Sequence, residues 1–262
     1  MKMFRVTTTT SFGWSSTMFA LFLAVWSAEV PAFVTAQQQT CLQVDTVSNL
    51  DLDAFISKPW YVQQQAENSY TSRDFNQCVT AQYVRKGYKT FWGYDIGVYN
   101  VARNANGRTM VGELCASVTG SGTLQVAPCF LPKATAGPYW IVAYKEGDDG
   151  YALISGGQPK NLVTTGNDVN TCGPDGNRPC CKTGNGVNNS GLWIFTRQKN
   201  PSRELVNRVR AVAKRKGFAT SVLFDVTHPS DCDIYPNIVR NSGSGGGNGG
   251  NGRGRGLLRA NH

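Results

Sequence analysis

The sequence predicts an all-β protein: an eight-stranded antiparallel up-and-down β-barrel with one C-terminal helix packed on the barrel wall. Three observations predict it. Between positions 60 and 197, short runs of β-branched and aromatic residues recur between clusters of turn residues. Period-two alternation is clearest in Trp92, Tyr94, Ile96 and Val98, with Gly93, Asp95 and Gly97 on the other face. One apolar stripe at helical spacing then follows the last of these runs.

Strands are expected at 60–66, 78–85, 90–101, 109–118, 123–130, 139–144, 151–155 and 192–197. Asn106-Gly107 reads as a two-residue hairpin turn that needs positive φ, and Lys86-Gly87 and Asp148-Asp-Gly150 mark two more turns. Eight antiparallel strands with short links fit a closed barrel better than a sandwich, because closure removes exposed edges. Eight is also the strand number that leaves room for one small ligand.

For the helix, Asn200 is the expected cap, Pro201 suits the first position, and Gly217 can end it in the left-handed conformation. Leu205, Val209, Val212 and Ala213 form the stripe that faces the barrel. Residues 218–227 then supply a short return strand. Two stretches depart from a compact barrel. Residues 156–190 form a long loop rich in Gly, Asn and Pro that carries Cys172, Cys180 and Cys181. The Gly/Asn/Arg-rich tail, 241–262, has no residues with which to build a core and is expected to be disordered.

At the other end, Lys2 and Arg5 precede the apolar run from Met18 to Trp26, and small residues follow at Val34-Thr-Ala36. That is the layout of a secretory signal peptide over 1–36, too short to span a bilayer, and it leaves a barrel domain over 37–240. A cut before Phe33 would instead resemble the first step of import into the plastids of some algae, but no Ser/Arg-rich transit stretch follows. The chain is therefore expected to be secreted and not membrane-spanning. Its eight cysteines all lie beyond position 36, an even set that reads as disulfides in an oxidising compartment. No Cys-x-x-Cys pair is present, and His228 and His262 sit apart from any cysteine cluster, so neither a metal nor a cofactor is expected.

The formal charge of +9 is concentrated. Residues 203–216 hold six basic groups against Glu204, and residues 240–262 hold four arginines. A basic helix face and a basic tail explain the charge without nucleic acid, and leave weak contact with anionic surfaces as a role for those two segments.

Two segments about 130 residues apart carry a family resemblance. Asp53-Ala-Phe-Ile-Ser-Lys-Pro-Trp60-Tyr-Val and Gly191-Leu-Trp-Ile-Phe-Thr-Arg197 resemble the signature of the lipocalins. In that family the arginine closing the last strand lies across the tryptophan that opens the first, and seals the floor of a one-ligand barrel. Over residues 41–232 the chain is similar to apolipoprotein D and the bacterial outer-membrane lipocalins. Cys78-Val-Thr-Ala-Gln-Tyr83 resembles their second strand; Gly137-Pro-Tyr-Trp-Ile-Val-Ala-Tyr144 and Asp149-Gly-Tyr-Ala-Leu-Ile-Ser155 resemble the sixth and seventh. Trp193-Ile-Phe-Thr-Arg-Gln-Lys-Asn-Pro201 resembles the closing strand and the approach to the helix. The family's glycine two places before the tryptophan is Lys58 here.

The resemblance implies a bridge from Cys78 to Cys232, and one from Cys41 to Cys172, Cys180 or Cys181. Cys115 and Cys129 lie on neighbouring expected strands and are expected to pair, and the remaining two cysteines to staple the long loop. Bonding of adjacent Cys180 and Cys181 would be strained.

Strand parity assigns the cup. With Trp60 and Arg197 at the floor, Val62, Gln64 and Ala66 point inward from the first strand, and Trp193 and Phe195 from the last. Val79, Ala81 and Tyr83 line the second wall, and Trp92, Tyr94 and Ile96 are candidates for the third. An aromatic, mostly uncharged cup suits a lipid, sterol, retinoid or carotenoid, with Gln64 and Tyr83 as polar anchors. No Gly-x-Ser-x-Gly elbow, P-loop or His-Glu-x-x-His is present; Asp74 and Asp95 are candidates for a carboxylate pair near the cup, against the far commoner solvated role of single carboxylates in turns and strands. The enzymatic alternative is acid chemistry on a carotenoid or lipid, as in violaxanthin de-epoxidase, itself a lipocalin. This sequence lacks that enzyme's cysteine-rich N-terminal domain and its long acidic C-terminal helix. A third reading is a surface or extracellular-matrix protein acting through its basic tail. Asn188-Asn-Ser190 is an acceptor sequence for N-linked glycan.

Overall fold

The computed structural model describes residues 40–232. The expected leader (1–36), the tail (241–262) and His262 lie outside the described residues. A short helix α1 (Leu52–Ile56) precedes eight long strands: β1 (Trp60–Ala66), β2 (Gln77–Arg85), β3 (Ile96–Arg103), β4 (Thr109–Gly120), β5 (Thr123–Ala127), β6 (Gly137–Lys145), β7 (Tyr151–Ser155) and, after two short ones, β10 (Leu192–Thr196). The short pair is β8 (Asn161–Leu162) and β9 (Cys181–Lys182). Helix α2 (Arg203–Arg215) and β11 (Leu223–Asp225) complete the order.

Each long strand pairs antiparallel with the next, and β10 returns to β1 through Val62↔Phe195 and Gln65↔Trp193, so the sheet closes on itself. Closure leaves the ladder without an edge except where β11 adds to the end of β1. Inside, Trp60, Val62, Ala81, Tyr83, Ile96, Val98, Ala116, Leu124, Ile154 and Phe195 pack as one apolar cluster. Outside, Leu153, Leu192 and Ile194 on β7 and β10 meet Val209 and Ala213 of α2. The strands at this wall are therefore apolar on both faces.

Several expected boundaries shift. Strand β3 begins at Ile96, not at 90, because Gly93 takes φ +81° and turns the chain before the ladder starts. Strand β5 ends at Ala127, as residues 128–131 form a turn with Leu131 N–H donating to Pro128 O. At Asn104–Arg108 only Gly107 has positive φ, and the Asn104 side chain accepts from the N–H groups of Asn106 and Arg108, so the turn is longer than the expected two-residue form. The α2 cap is Ser202, whose hydroxyl accepts from Leu205 N–H, rather than Asn200. Gly217, at φ +93°, ends the helix as expected.

Four disulfides use all eight cysteines: Cys41–Cys181, Cys78–Cys232, Cys115–Cys129 and Cys172–Cys180. They leave Cys180 and Cys181 with different partners. The 156–190 loop is anchored rather than loose. Buried Asp168 pairs with Lys214 of α2 at 2.9 Å and accepts from Ser221 N–H at 2.6 Å. Among the described residues no helix is long and apolar enough to cross a membrane.

Candidate functional site

The closed end of the barrel is built around one cation. The Arg197 guanidinium carbon lies 3.6 Å from the Trp60 ring centroid. Its Nη1 donates to Lys58 O at 2.6 Å, and its Nη2 to Ala54 O at 2.8 Å, Phe55 O at 3.1 Å and Glu146 Oε2 at 2.9 Å. The Trp60 indole N–H donates to the same Phe55 carbonyl at 2.9 Å. Helix α1 thus brings its last carbonyls to the arginine, where a positive charge is favoured. Lys58 contributes only a carbonyl and lacks positive φ, which explains why glycine is not required there. Burial pushes the Glu146 carboxyl up, but bonds from Arg197 and Tyr144 outweigh it and hold the group below the usual carboxylate range.

Above this floor the walls are aromatic and aliphatic. Val62, Ala81, Tyr83 and Phe195 are buried in the inner cluster, with Trp193 half-buried against it. Gly191 sets the Trp193 ring: a Cβ on that glycine would stand 2.0 Å from the indole, so only glycine lets the ring lie back over the chain. The Tyr83 and Tyr139 hydroxyls meet at 2.5 Å across the interior. Burial pushes both phenols above their ordinary range, so each is neutral and the pair shares one hydrogen bond.

Two groups of expected cup residues lie elsewhere. A β-bulge at Val62–Gln64 inserts one residue into β1 and reverses parity beyond it. Gln64 consequently faces outward, donating to Asp225 at 2.6 Å and accepting from Arg210 of α2 at 2.7 Å. Ala66 joins the outer cluster too. Gln65 occupies the inward register opposite Trp193 and is buried. Trp92 and Tyr94 are not in the cup. Tyr94 packs on the outer wall with Cys115, Ala127 and Leu131, and the Trp92 indole N–H donates to Phe130 O at 2.9 Å. Ile96 and Val98, in the ladder itself, point inward.

The sequence reading missed a second group that the fold brings to the interior. Phe75, Met110, Leu114, Val126 and Tyr139 pack against the inner cluster and remain half-buried. Strand parity could have found Met110 and Leu114, which alternate with Thr109, Val111 and Glu113. Nothing in the sequence marked Phe75, which reaches inward from the β1–β2 loop.

That loop and the long loop meet at the mouth. Ser69 N–H donates to Asn185 O at 3.1 Å. Asn188 is exposed in the same stretch. A separate cleft of about 480 Å³ lies outside the wall, lined by Leu192, Phe218, Val222, Leu223, Arg73 and Lys182 among others. Of the residues expected in the cup, it touches only Ala66.

The carboxylate pair considered from sequence is not assembled, since Asp74 and Asp95 sit in the loops at opposite ends of β2. His228 is buried, with Nε2 2.8 Å from Val62 O and its ring edge-on to Tyr61. Burial holds its pKa below the ordinary imidazole value.

No protein-family model matches the chain, and no curated protein matches it in sequence. Among solved structures, apocrustacyanin C1 is 15% identical with a TM-score of 0.45, covering 70% of this chain and 82% of its own. The cockroach allergen Per a 4 is 15% identical with a TM-score of 0.46, covering 73% and 96%. Lobster apocrustacyanin A1 is 15% identical with a TM-score of 0.44, covering 76% and 96%.

Proposed function

We propose that the chain is a secreted lipocalin that holds one small hydrophobic ligand inside the barrel. The observation that carries this reading is the half-buried inner ring. Trp193, Tyr139, Met110, Leu114 and Val126 face the interior, rest on a fully buried floor, and keep part of their surface open. Apolar side chains that face inward yet stay accessible are what a ligand would cover. Covering them yields about 25 cal/mol per Å² of apolar surface removed from water. The Tyr83–Tyr139 pair supplies a neutral hydroxyl anchor, and Gln65 takes the polar role first given to Gln64. A lipid, sterol, retinoid or carotenoid fits this uncharged lining. The disulfide bonding of all eight cysteines supports passage through an oxidising compartment.

The mechanism is burial and release without bond chemistry. The ligand enters beside the Ser69–Asn185 contact and lies along Trp193 and Leu114, stopping above Trp60 and Phe195. The experiment is a titration of the oxidised protein with retinol and with a fluorescent polyene fatty acid. Saturable uptake near one ligand per chain is expected, with about tenfold weaker binding in Trp193→Ala, from the apolar contact area lost. Absence of uptake for every ligand class named would contradict the reading.

A further inference from the structure

We infer that the outer wall carries a membrane-contact surface, separate from the cup, formed by the β2–β3 and β5–β6 loops and suited to an anionic phospholipid bilayer. Phe91 is 91% exposed, Phe130 77%, Tyr88 67% and Trp92 40%. Scattered apolar residues on a surface need no explanation, but four aromatics on two touching loops do. The two loops are held as one unit. Trp92 donates its indole N–H to Phe130 O, and Phe91 and Trp92 meet edge to face at 4.8 Å. Thr90 N–H donates to Tyr94 O and Gly93 N–H to Thr90 O, fixing the tip. Beneath them, Cys115–Cys129 and buried Tyr94 anchor the base. The aromatics are therefore presented on a rigid mount, not on a loose loop.

The charge around them selects the occupant. Lys89 lies two residues from Phe91, and Lys133 places its ammonium 5.7 Å from the Tyr94 ring. Lys86, 5.9 Å from the Tyr88 ring, is mostly buried and pairs with Glu113 at 4.0 Å, so Lys89 and Lys133 carry the free charge beside the rings. Projecting rings flanked by lysines match the headgroup boundary of a bilayer, where aromatic tips insert and long cationic side chains reach the phosphates. A stacked sugar fits less well, because the Phe91 and Trp92 rings stand at 81° and offer no common flat face. A second copy of the chain would bring the same lysines face to face across a two-fold contact. This surface is independent of the ligand reading, and of the basic helix and tail.

The test uses the full oxidised chain with vesicles of phosphatidylcholine containing phosphatidylserine, at low and high salt. Phe91→Ser with Phe130→Ser changes two exposed positions and keeps the helix and tail. The expected result is vesicle binding that persists in part at high salt and falls about tenfold in this double variant. Bromine-labelled acyl chains should quench tryptophan emission in the parent and less in Trp92→Phe. Unchanged binding in the double variant would overturn the inference in favour of the basic segments. A concentration-dependent dimer that ignores vesicles and is lost in the same variant would overturn it in favour of self-association. Absence of any vesicle binding would overturn it outright.

Discussion

The Arg197 guanidinium carbon lies 3.6 Å from the Trp60 ring centroid, and its nitrogens donate to the carbonyls of Lys58, Ala54 and Phe55. The two residues are 137 positions apart and join the first and last long strands to α1. Arg197→Ala removes the cation–π contact, the ion pair to Glu146 and the guanidinium's bonds to the Lys58, Ala54 and Phe55 carbonyls. We expect it to lower stability by about 2–3 kcal/mol. Urea midpoints check this, and ligand affinity should change much less, since the floor lies below the cup.

Gln64 and Gln65 differ by one position and face opposite sides of the wall. Gln64→Leu breaks the bonds to Asp225 and Arg210, so it should lower the urea midpoint and leave ligand uptake unchanged. Gln65→Leu should alter uptake. The reverse pattern in the same titrations would mean that the bulge does not set the inner face.

The Tyr83–Tyr139 hydroxyl pair tests polar anchoring. Tyr139→Phe removes one hydroxyl and leaves the other buried without this partner. A ligand bearing a hydroxyl or carboxyl should lose affinity by about tenfold, the worth of one hydrogen bond, and a plain hydrocarbon should not. Calorimetric titration with retinol and with a hydrocarbon of similar size separates the two.

The Cys78–Cys232 bridge spans 154 residues and fastens the segment after β11 to β2. On the chain-entropy model a loop of that size contributes about 5 kcal/mol. Replacing both cysteines by serine should lower the melting temperature strongly, whereas replacing Cys172 and Cys180, which lie 8 positions apart, should cost less. Thermal melts of the two variants check the order.

Acid should destabilise the fold in two stages. Buried His228 has a depressed pKa, so the unfolded chain binds its proton first. Its contribution is present above about pH 6.5 and is lost as pH falls through the folded value. Asp168 is pushed up by burial but held below its ordinary value by Lys214 and Ser221. Glu146 is likewise depressed by Arg197 and Tyr144. Both contribute above about pH 4 and lose that contribution as pH drops further. In His228→Gln the first stage should vanish from a plot of urea midpoint against pH, while the second remains.

The barrel was legible because its signals are local: alternation, turns and the two signature segments each occupy fewer than a dozen residues. Strand parity worked where the ladder ran unbroken, as at Ala81, Tyr83, Trp193 and Phe195. It failed at two points for physical reasons. One extra residue in β1 moved Gln64 outward, and bulges leave little trace in composition. Trp92 and Tyr94 shared the alternation of Ile96 and Val98, yet Gly93 at positive φ broke the strand between them. Phe75 enters the interior from a loop, so no periodic pattern led to it. The disulfide partner of Cys41 was open among three cysteines in one loop. Cys181 alone lies on β9, which runs beside Gly217 and Ala219 after α2.

Native mass spectrometry of the oxidised protein purified from its own cells and their medium, followed by organic extraction, tests the carrier reading most directly. We expect one hydrophobic molecule per chain, displaced in Trp193→Ala and retained in Gln64→Leu. A parent protein that is empty as purified and takes up neither fatty acid, sterol, retinoid nor carotenoid would show that the aromatics fill the barrel as core.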